Sequence, residues 1–228
     1  MARNKYPEVT VERILDAAQR LFLEKGYENT TIQDIVNELG GLTKGAVYHH
    51  FRSKEEIMEA VNDRMFFSNN PFEAVQERSD LTGLEKLRQA VVIHNADEEQ
   101  GEITRQAAAL MKNPQMLAGM LVSNREILTP YYRKLIDEGI ADGSITTRYP
   151  REISELLPIL TSLWFIPGIY PATREEQRRK FSFIFDMLDA MGLTLRDERI
   201  EKIAGRFFDS WPEAVSYKHL RAHETLSD

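Results

Sequence analysis

Apolar residues recur along this chain at helical spacing, and alternating strand patterns are nearly missing. Val11, Ile14, Leu15, Ala18, Leu21 and Phe22 share one stripe, and Gly26 follows as a C-terminal breaker. Thr30 and Thr31 are placed to cap a second helix with Ile32, Ile35, Val36 and Leu39 facing inward. Gly40-Gly41 interrupts the chain, and Thr43 caps a short third helix from Lys44 to about Phe51. Ser53 followed by Glu56 reads as a capping box, so a fourth helix opens at Lys54 and buries Ile57, Val61 and Met65.

Asn69-Asn70-Pro71 is the clearest break, and about six more helices follow it. Leu84, Leu87, Val91 and His94 form one stripe, and Ile103, Ala107 and Leu110 another. The stretch from Pro114 to about Asp142 is helical but must bend or restart at Pro130, and Gly143 ends it. Pro150 suits the first position of a helix running to about Ile166. Thr173 caps a helix carrying Phe181, Ile184, Phe185, Leu188 and Met191, and a last one carries Ile200, Ile203, Ala204, Phe207, Phe208 and Trp211. The residues VSYKHLRAHET resemble the conceptual translation of a sequencing adapter, so 215–228 are expected to be a non-native tail. The pair His219 and His223, at metal-ligand spacing, falls in that tail and is not read as a metal site.

Composition narrows the choices. The 228 residues are 42% apolar and leave room for a sizeable core. No apolar run reaches the length of a membrane-spanning helix, the N-terminus lacks a signal-peptide h-region, and cysteine is absent. A cytoplasmic protein with no membrane partner is expected. The net charge of −7 argues at first against nucleic acid, but its distribution matters more. Residues 1–58 carry 8 Lys/Arg against 9 Asp/Glu and the remainder 21 against 27, so the acidity lies mostly outside the N-terminal segment. There Lys44, Arg52 and Lys54 crowd with His49 and His50, and such a local patch can meet phosphate on an acidic protein.

Three short helices with a tight turn before the third describe a helix-turn-helix. The third helix of that motif lies in a DNA major groove about 12 Å wide, its front end at the bases and its flanks at phosphates. Gly45 and Ala46 are small enough for close approach, and Thr43 offers a hydroxyl beside a helix N-terminus. Of the adjacent histidines, which cannot point the same way on a helix, His49 is read as exposed and His50 as partly packed. Lys44 and Lys54 are either solvated lysines or DNA contacts.

The stretch ILDAAQRLFLEKGYENTTIQDIVNELGG followed by LTKGAVYHHFRSKEEI resembles the signature of the TetR (tetracycline-repressor-like) family, from about Ile14 to Ile57. The resemblance implies an all-α fold: an N-terminal three-helix DNA-binding domain at 1–53, a connecting helix at 54–68, and a helical ligand-binding and dimerisation domain at 69–214. It implies a homodimeric repressor that binds double-stranded operator DNA, palindromic in keeping with the dimer, and leaves it on meeting a small-molecule effector. Carried over by position, it makes Thr31 a phosphate contact, Thr43, Lys44, Gly45 and Ala46 the leading edge of the recognition helix, and Tyr48 and His49 contacts to phosphate or base edges. Val47 and Phe51 become core, and Lys54 a phosphate anchor. The turn Leu39–Leu42 is one residue longer than the common pattern.

Beyond Ile57 the resemblance lies in length and helix count alone. His94, Met111, Met120, Tyr131, Tyr132, Trp164 and Phe165 are candidates for an effector pocket, or else ordinary core. Leu156, Leu160, Leu163, Phe181, Phe185 and Leu188 are candidates for the dimer interface, with packing inside one chain as the alternative. No cofactor, metal site or catalytic motif is expected, so an enzyme is disfavoured. A helical adaptor, or an activator of the same fold, is the other reading.

Overall fold

The computed structural model describes residues 7–68, 70–96, 98–108, 111, 114–166 and 168–209, all helix, turn or loop without a strand. The tail after Ala214 and Trp211 lie outside these residues. The chain divides into two units, the first drawn from residues 1–69 and 97–110, the second from residues 70–96 and 111–228.

In the first unit, α1 (Pro7–Lys25), α2 (Ile32–Leu39), α3 (Lys44–His50) and α4 (Lys54–Ser68) enclose one apolar core, closed by a fifth helix, α7 (Glu98–Ala108). Ile14, Ala18 and Phe22 of α1, Ile35 of α2, Val47 of α3 and Ile57 and Val61 of α4 are buried there. Ile103 of α7 is fully buried in the same core, with Ala107 packed against it. The sequence reading places 98–108 with the C-terminal helices. The structure assigns it to the first unit, because its apolar stripe meets α1 and α4.

Local signals set the helix ends. Gly26 takes φ +81°, and its N–H returns to the Phe22 carbonyl at 2.9 Å. Thr31 caps α2 in a reciprocal box with Asp34. The Ser53 box is looser: Glu56 N–H donates to Ser53 Oγ at 3.2 Å, but the Glu56 carboxylate accepts from the Arg52 N–H, one residue early.

In the second unit, α5 (Pro71–Gln76), capped by Asn70, packs on α6 (Gly83–Ala96), which packs on α9 (Thr129–Ala141). Gly83 lets the backbone of α6 nearly touch that of α9 at Gly139, whose own missing Cβ makes room for the Ile145 side chain. Ahead of α9 run α8 (Pro114–Ser123) and a five-residue π-turn, Asn124–Leu128. This turn is how the helix accommodates Pro130, whose ring would collide with a regular preceding turn. The Thr129 N–H reaches back five residues to the Asn124 carbonyl. Next come α10 (Pro150–Ser162), α11 (Arg174–Ala190) and α12 (Glu198–Asp209). Helix α10 stops at Ser162, four residues before the expected end. It already carries Pro158 inside, and the Trp164 N–H bonds the Ile159 carbonyl in a widened final turn.

Candidate nucleic-acid interface

Helix α3 is anchored from beneath and open above. Val47 is 0% exposed and Phe51 is 7% exposed, so both lock the helix to α1 and its neighbours. Thr43, Lys44, Gly45, Tyr48 and His49 are exposed, while Ala46 and His50 are half-buried. Positions 44 and 48, and 45 and 49, are one helical turn apart, so four of these residues share one outward face. The Lys44 ammonium lies 5.8 Å from the centre of the Tyr48 ring, which is itself 45% exposed. Thr43 Oγ accepts from the Ala46 N–H at 3.2 Å, a bond that uses its oxygen and leaves its proton to be donated outward.

The turn before α3 is fixed at both ends. Arg13 on α1 donates to the Leu39 carbonyl at 2.8 Å, satisfying the end of α2. Gly40 and Gly41 follow with φ +48° and +92°, conformations costly for any residue with a Cβ. Leu42 then drops onto the core. Arg13 carried no signal in the sequence, since its bond spans 26 positions.

Two expected phosphate contacts look different in the structure. Thr31 donates both its N–H (2.8 Å) and its hydroxyl (2.6 Å) to Asp34, so a phosphate there would have to displace a carboxylate. The Thr31 hydroxyl and N–H in turn hold the Asp34 carboxyl below the usual carboxylate range. Lys54 corrects the expectation more sharply. Its ammonium donates to the carbonyls of Tyr27 and Thr30, both at 2.8 Å, and sits 4.0 Å from the centre of the Tyr27 ring. It is turned inward as a strut between α4 and the turn after α1, because two turn carbonyls with a lone pair to spare and an aromatic face lie within its reach.

Tyr27 is the hub of this corner. Its N–H donates to Gln106 Oε1 at 2.8 Å and its hydroxyl to Glu55 at 3.1 Å. Burial and the Glu55 carboxylate push its phenol pKa well up. On α4, Arg64 reaches Asp16 (2.8 Å), Gln19 (2.7 Å) and Glu12 (3.1 Å) on α1. Sequence reasoning missed Arg13, Arg64 and Gln106, all polar residues whose partners are remote in the chain.

The expected effector residues fall in two aromatic groups rather than one lining. Tyr131 stacks on Phe72 at 5.2 Å and donates to Glu73 at 2.8 Å, and Tyr132 meets Phe72 edge-on at 4.9 Å. Burial pushes the Tyr132 phenol up to about 12. Trp164 instead packs on Phe183, and Phe165 on Phe207 and Phe208. Met111 is buried and Met120 half-buried, but His94 is exposed: the apolar stripe of α6 has already turned away from it.

Three expected interface residues are corrected. Leu163, Phe185 and Leu188 are buried within their own unit and offer a partner no surface. Leu160 and Phe181 are half-buried. Leu156 and Ile159 on α10 and Phe183 on α11 are the apolar side chains left outside, the last 56% exposed.

A short outward helix held by a buried valine, entered from a second helix through a two-glycine turn, defines a helix-turn-helix protein. Residues 14–61 match the model of bacterial regulatory proteins, tetR family. The transcriptional regulator TtgR of Pseudomonas putida is 37% identical over 71 residues, 31% of this chain and 33% of that relative. The match to TtgR thus takes in only a third of that relative's length. The regulator TtgW of the same species, itself uncharacterised, is 31% identical over 129 residues, 56% of this chain and 92% of its own. A crystal structure of a TetR-family transcriptional regulator from Pectobacterium atrosepticum shares the fold, with a TM-score of 0.59 at 20% identity over 85% of this chain and 100% of the other. The chain belongs to the tetR family, whose members are regulators of transcription rather than enzymes.

Proposed function

We propose that this protein is a cytoplasmic, homodimeric DNA-binding transcriptional regulator. It acts as a repressor released from a palindromic operator when a small-molecule effector binds the second unit. The observation that carries the DNA-binding reading is the exposed face of α3, where Thr43, Lys44, Gly45, Tyr48 and His49 stand out while Val47 fixes the helix from below. Such a face suits the major groove, with Gly45 and half-buried Ala46 allowing close approach and Lys44 and Tyr48 flanking it.

The division of labour follows. Residues 1–68 together with 98–108 read DNA, and the second unit binds the effector and the partner chain. Tyr131 and Tyr132 on Phe72 are the best-placed effector contacts, because each brings a hydroxyl to an aromatic wall. Leu156, Ile159 and Phe183 are the best-placed partner contacts, being apolar and exposed.

Selecting bound fragments from random duplex DNA tests this reading. The expected product is a palindrome whose half-sites lie about 34–36 Å apart, or a multiple of that. A purified protein that retains no duplex at low salt would overturn it.

A further inference from the structure

We propose that Gln106 is a positioning residue for operator recognition, acting through the turn that leads into α2. The proposal rests on the DNA-binding reading above and goes beyond it in assigning part of recognition to a helix remote from the motif.

Gln106 lies on α7, 79 positions from the residue it holds. Its Oε1 accepts the Tyr27 N–H at 2.8 Å, and its Nε2 donates to the Phe22 carbonyl at 3.0 Å and to Glu102 at 2.9 Å. The side-chain amide thus spans the point where α1 stops, bonding a carbonyl of its last turns and an N–H just past Gly26. From the other side Lys54 takes the Tyr27 and Thr30 carbonyls at 2.8 Å each. One residue, Tyr27, is therefore gripped by its N–H from α7 and by its carbonyl from α4. Inside the turn, Thr30 Oγ donates to the carbonyls of Gly26 (2.9 Å) and Leu21 (3.2 Å). Thr31 comes next and caps α2. The segment 26–30 therefore sets where α2 begins, and α2 passes that placement to α3 through the packed residues Ile35, Leu39 and Val47. Loosening the Tyr27 N–H leaves the core filled but lets the start of α2 shift. A groove-reading helix tolerates little misplacement, so sequence discrimination suffers first.

The test uses the full chain, a duplex selected by the wild type and a random duplex of equal length. Gln106→Met keeps the length and packing of the side chain and removes its hydrogen bonds. The expected result is an approximately five- to tenfold weaker Kd on the selected duplex, the size of one to two lost hydrogen bonds. Affinity for the random duplex, the salt slope and the helical circular dichroism stay as they were, because no phosphate contact is lost. Hydrogen exchange at the Tyr27 amide quickens by about tenfold or more as its bond is lost. Gln106→Glu again offers the Tyr27 N–H an acceptor but has no proton for the Phe22 carbonyl or Glu102, so it is expected to restore part of the protection and, in step with it, part of the discrimination. The proposal is overturned if Tyr27 exchanges faster while discrimination is unchanged, or if Tyr27 exchange does not change. Equal losses on both duplexes, or a Gln106→Glu protein that protects Tyr27 yet discriminates no better than Gln106→Met, also overturn it. A failure of the regulator reading shows separately and earlier, as a wild-type protein that enriches no duplex in the selection.

Discussion

Lys54→Met separates the two roles that sequence and structure give the first residue of α4. Methionine keeps most of the aliphatic stem and removes the ammonium. The lost interactions are two charge-assisted hydrogen bonds to the Tyr27 and Thr30 carbonyls and the contact with the Tyr27 ring. Bonds of this kind contribute roughly 1.5–3 kcal/mol each, and a cation over a ring about 0.5–1 kcal/mol more. Lys54 is half-buried, so water can take over much of what the carbonyls lose. A net destabilisation of about 2 kcal/mol is expected after that compensation. Urea unfolding reads this as a lower midpoint at unchanged slope against denaturant. The DNA assay gives the opposite reading for the competing role. A lysine on phosphate would lower the slope of log K against log salt by about 0.9 when removed, whereas an inward strut leaves that slope unaltered. A variant of wild-type stability whose salt slope falls by about one unit would refute the reasoning.

Other substitutions probe other layers. Ile103→Ala empties a fully buried site in the first unit and is expected to cost about 2–4 kcal/mol in the melting of the DNA-reading core, as followed by circular dichroism. Gly83→Ala would put a Cβ 2.1 Å from the Gly139 backbone nitrogen and 2.6 Å from the Leu135 carbonyl oxygen, atoms that cannot swing aside. It is expected to destabilise the second unit by roughly 3 kcal/mol or more, visible as a large fall in its melting temperature. The Asp34 carboxyl has a lowered pKa in the folded chain, so its stabilisation of the α2 cap is full above the unfolded value of about 3.9 and fades as pH falls through the lowered one. Asp34→Asn should flatten that part of an acid titration, and an NMR titration should place the Asp34 midpoint below that of an unstructured aspartate.

Signals confined to a few neighbouring residues made the first four helices readable from the chain alone. Gly26, Thr31, Thr43 and the Gly40-Gly41 pair each end or begin a helix through bonds to residues within four positions. Contacts between distant stretches were not readable. The stripe of Ile103 and Ala107 announces an amphipathic helix, but nothing in its spacing says that α1 and α4 cover it. Lys54 misleads for the same reason: a lysine at a helix start beside a basic patch looks solvent-facing until the Tyr27 and Thr30 carbonyls are found beneath it. On α11, Phe185 and Leu188 belong to the core and Phe183 to the surface, and apolar residues crowded at 181, 183, 184, 185, 187 and 188 give no means of ranking those sides.

The first unit is assembled from two stretches of chain, and vectorial synthesis must respect that order. A ribosome that has released residues up to Ser68 has delivered four helices but not the isoleucine that fills their remaining gap. The nascent unit waits, with apolar surface on α1 and α4 open to water, until the intervening segment 70–96 has been made and α7 clears the exit tunnel to pack on them. Lengthening that segment would add little to the closure cost, about 0.6 kcal/mol for a doubling. Delay is the greater exposure, so a slow codon run just upstream of α7 would prolong the interval in which the half-finished protein can aggregate or be degraded.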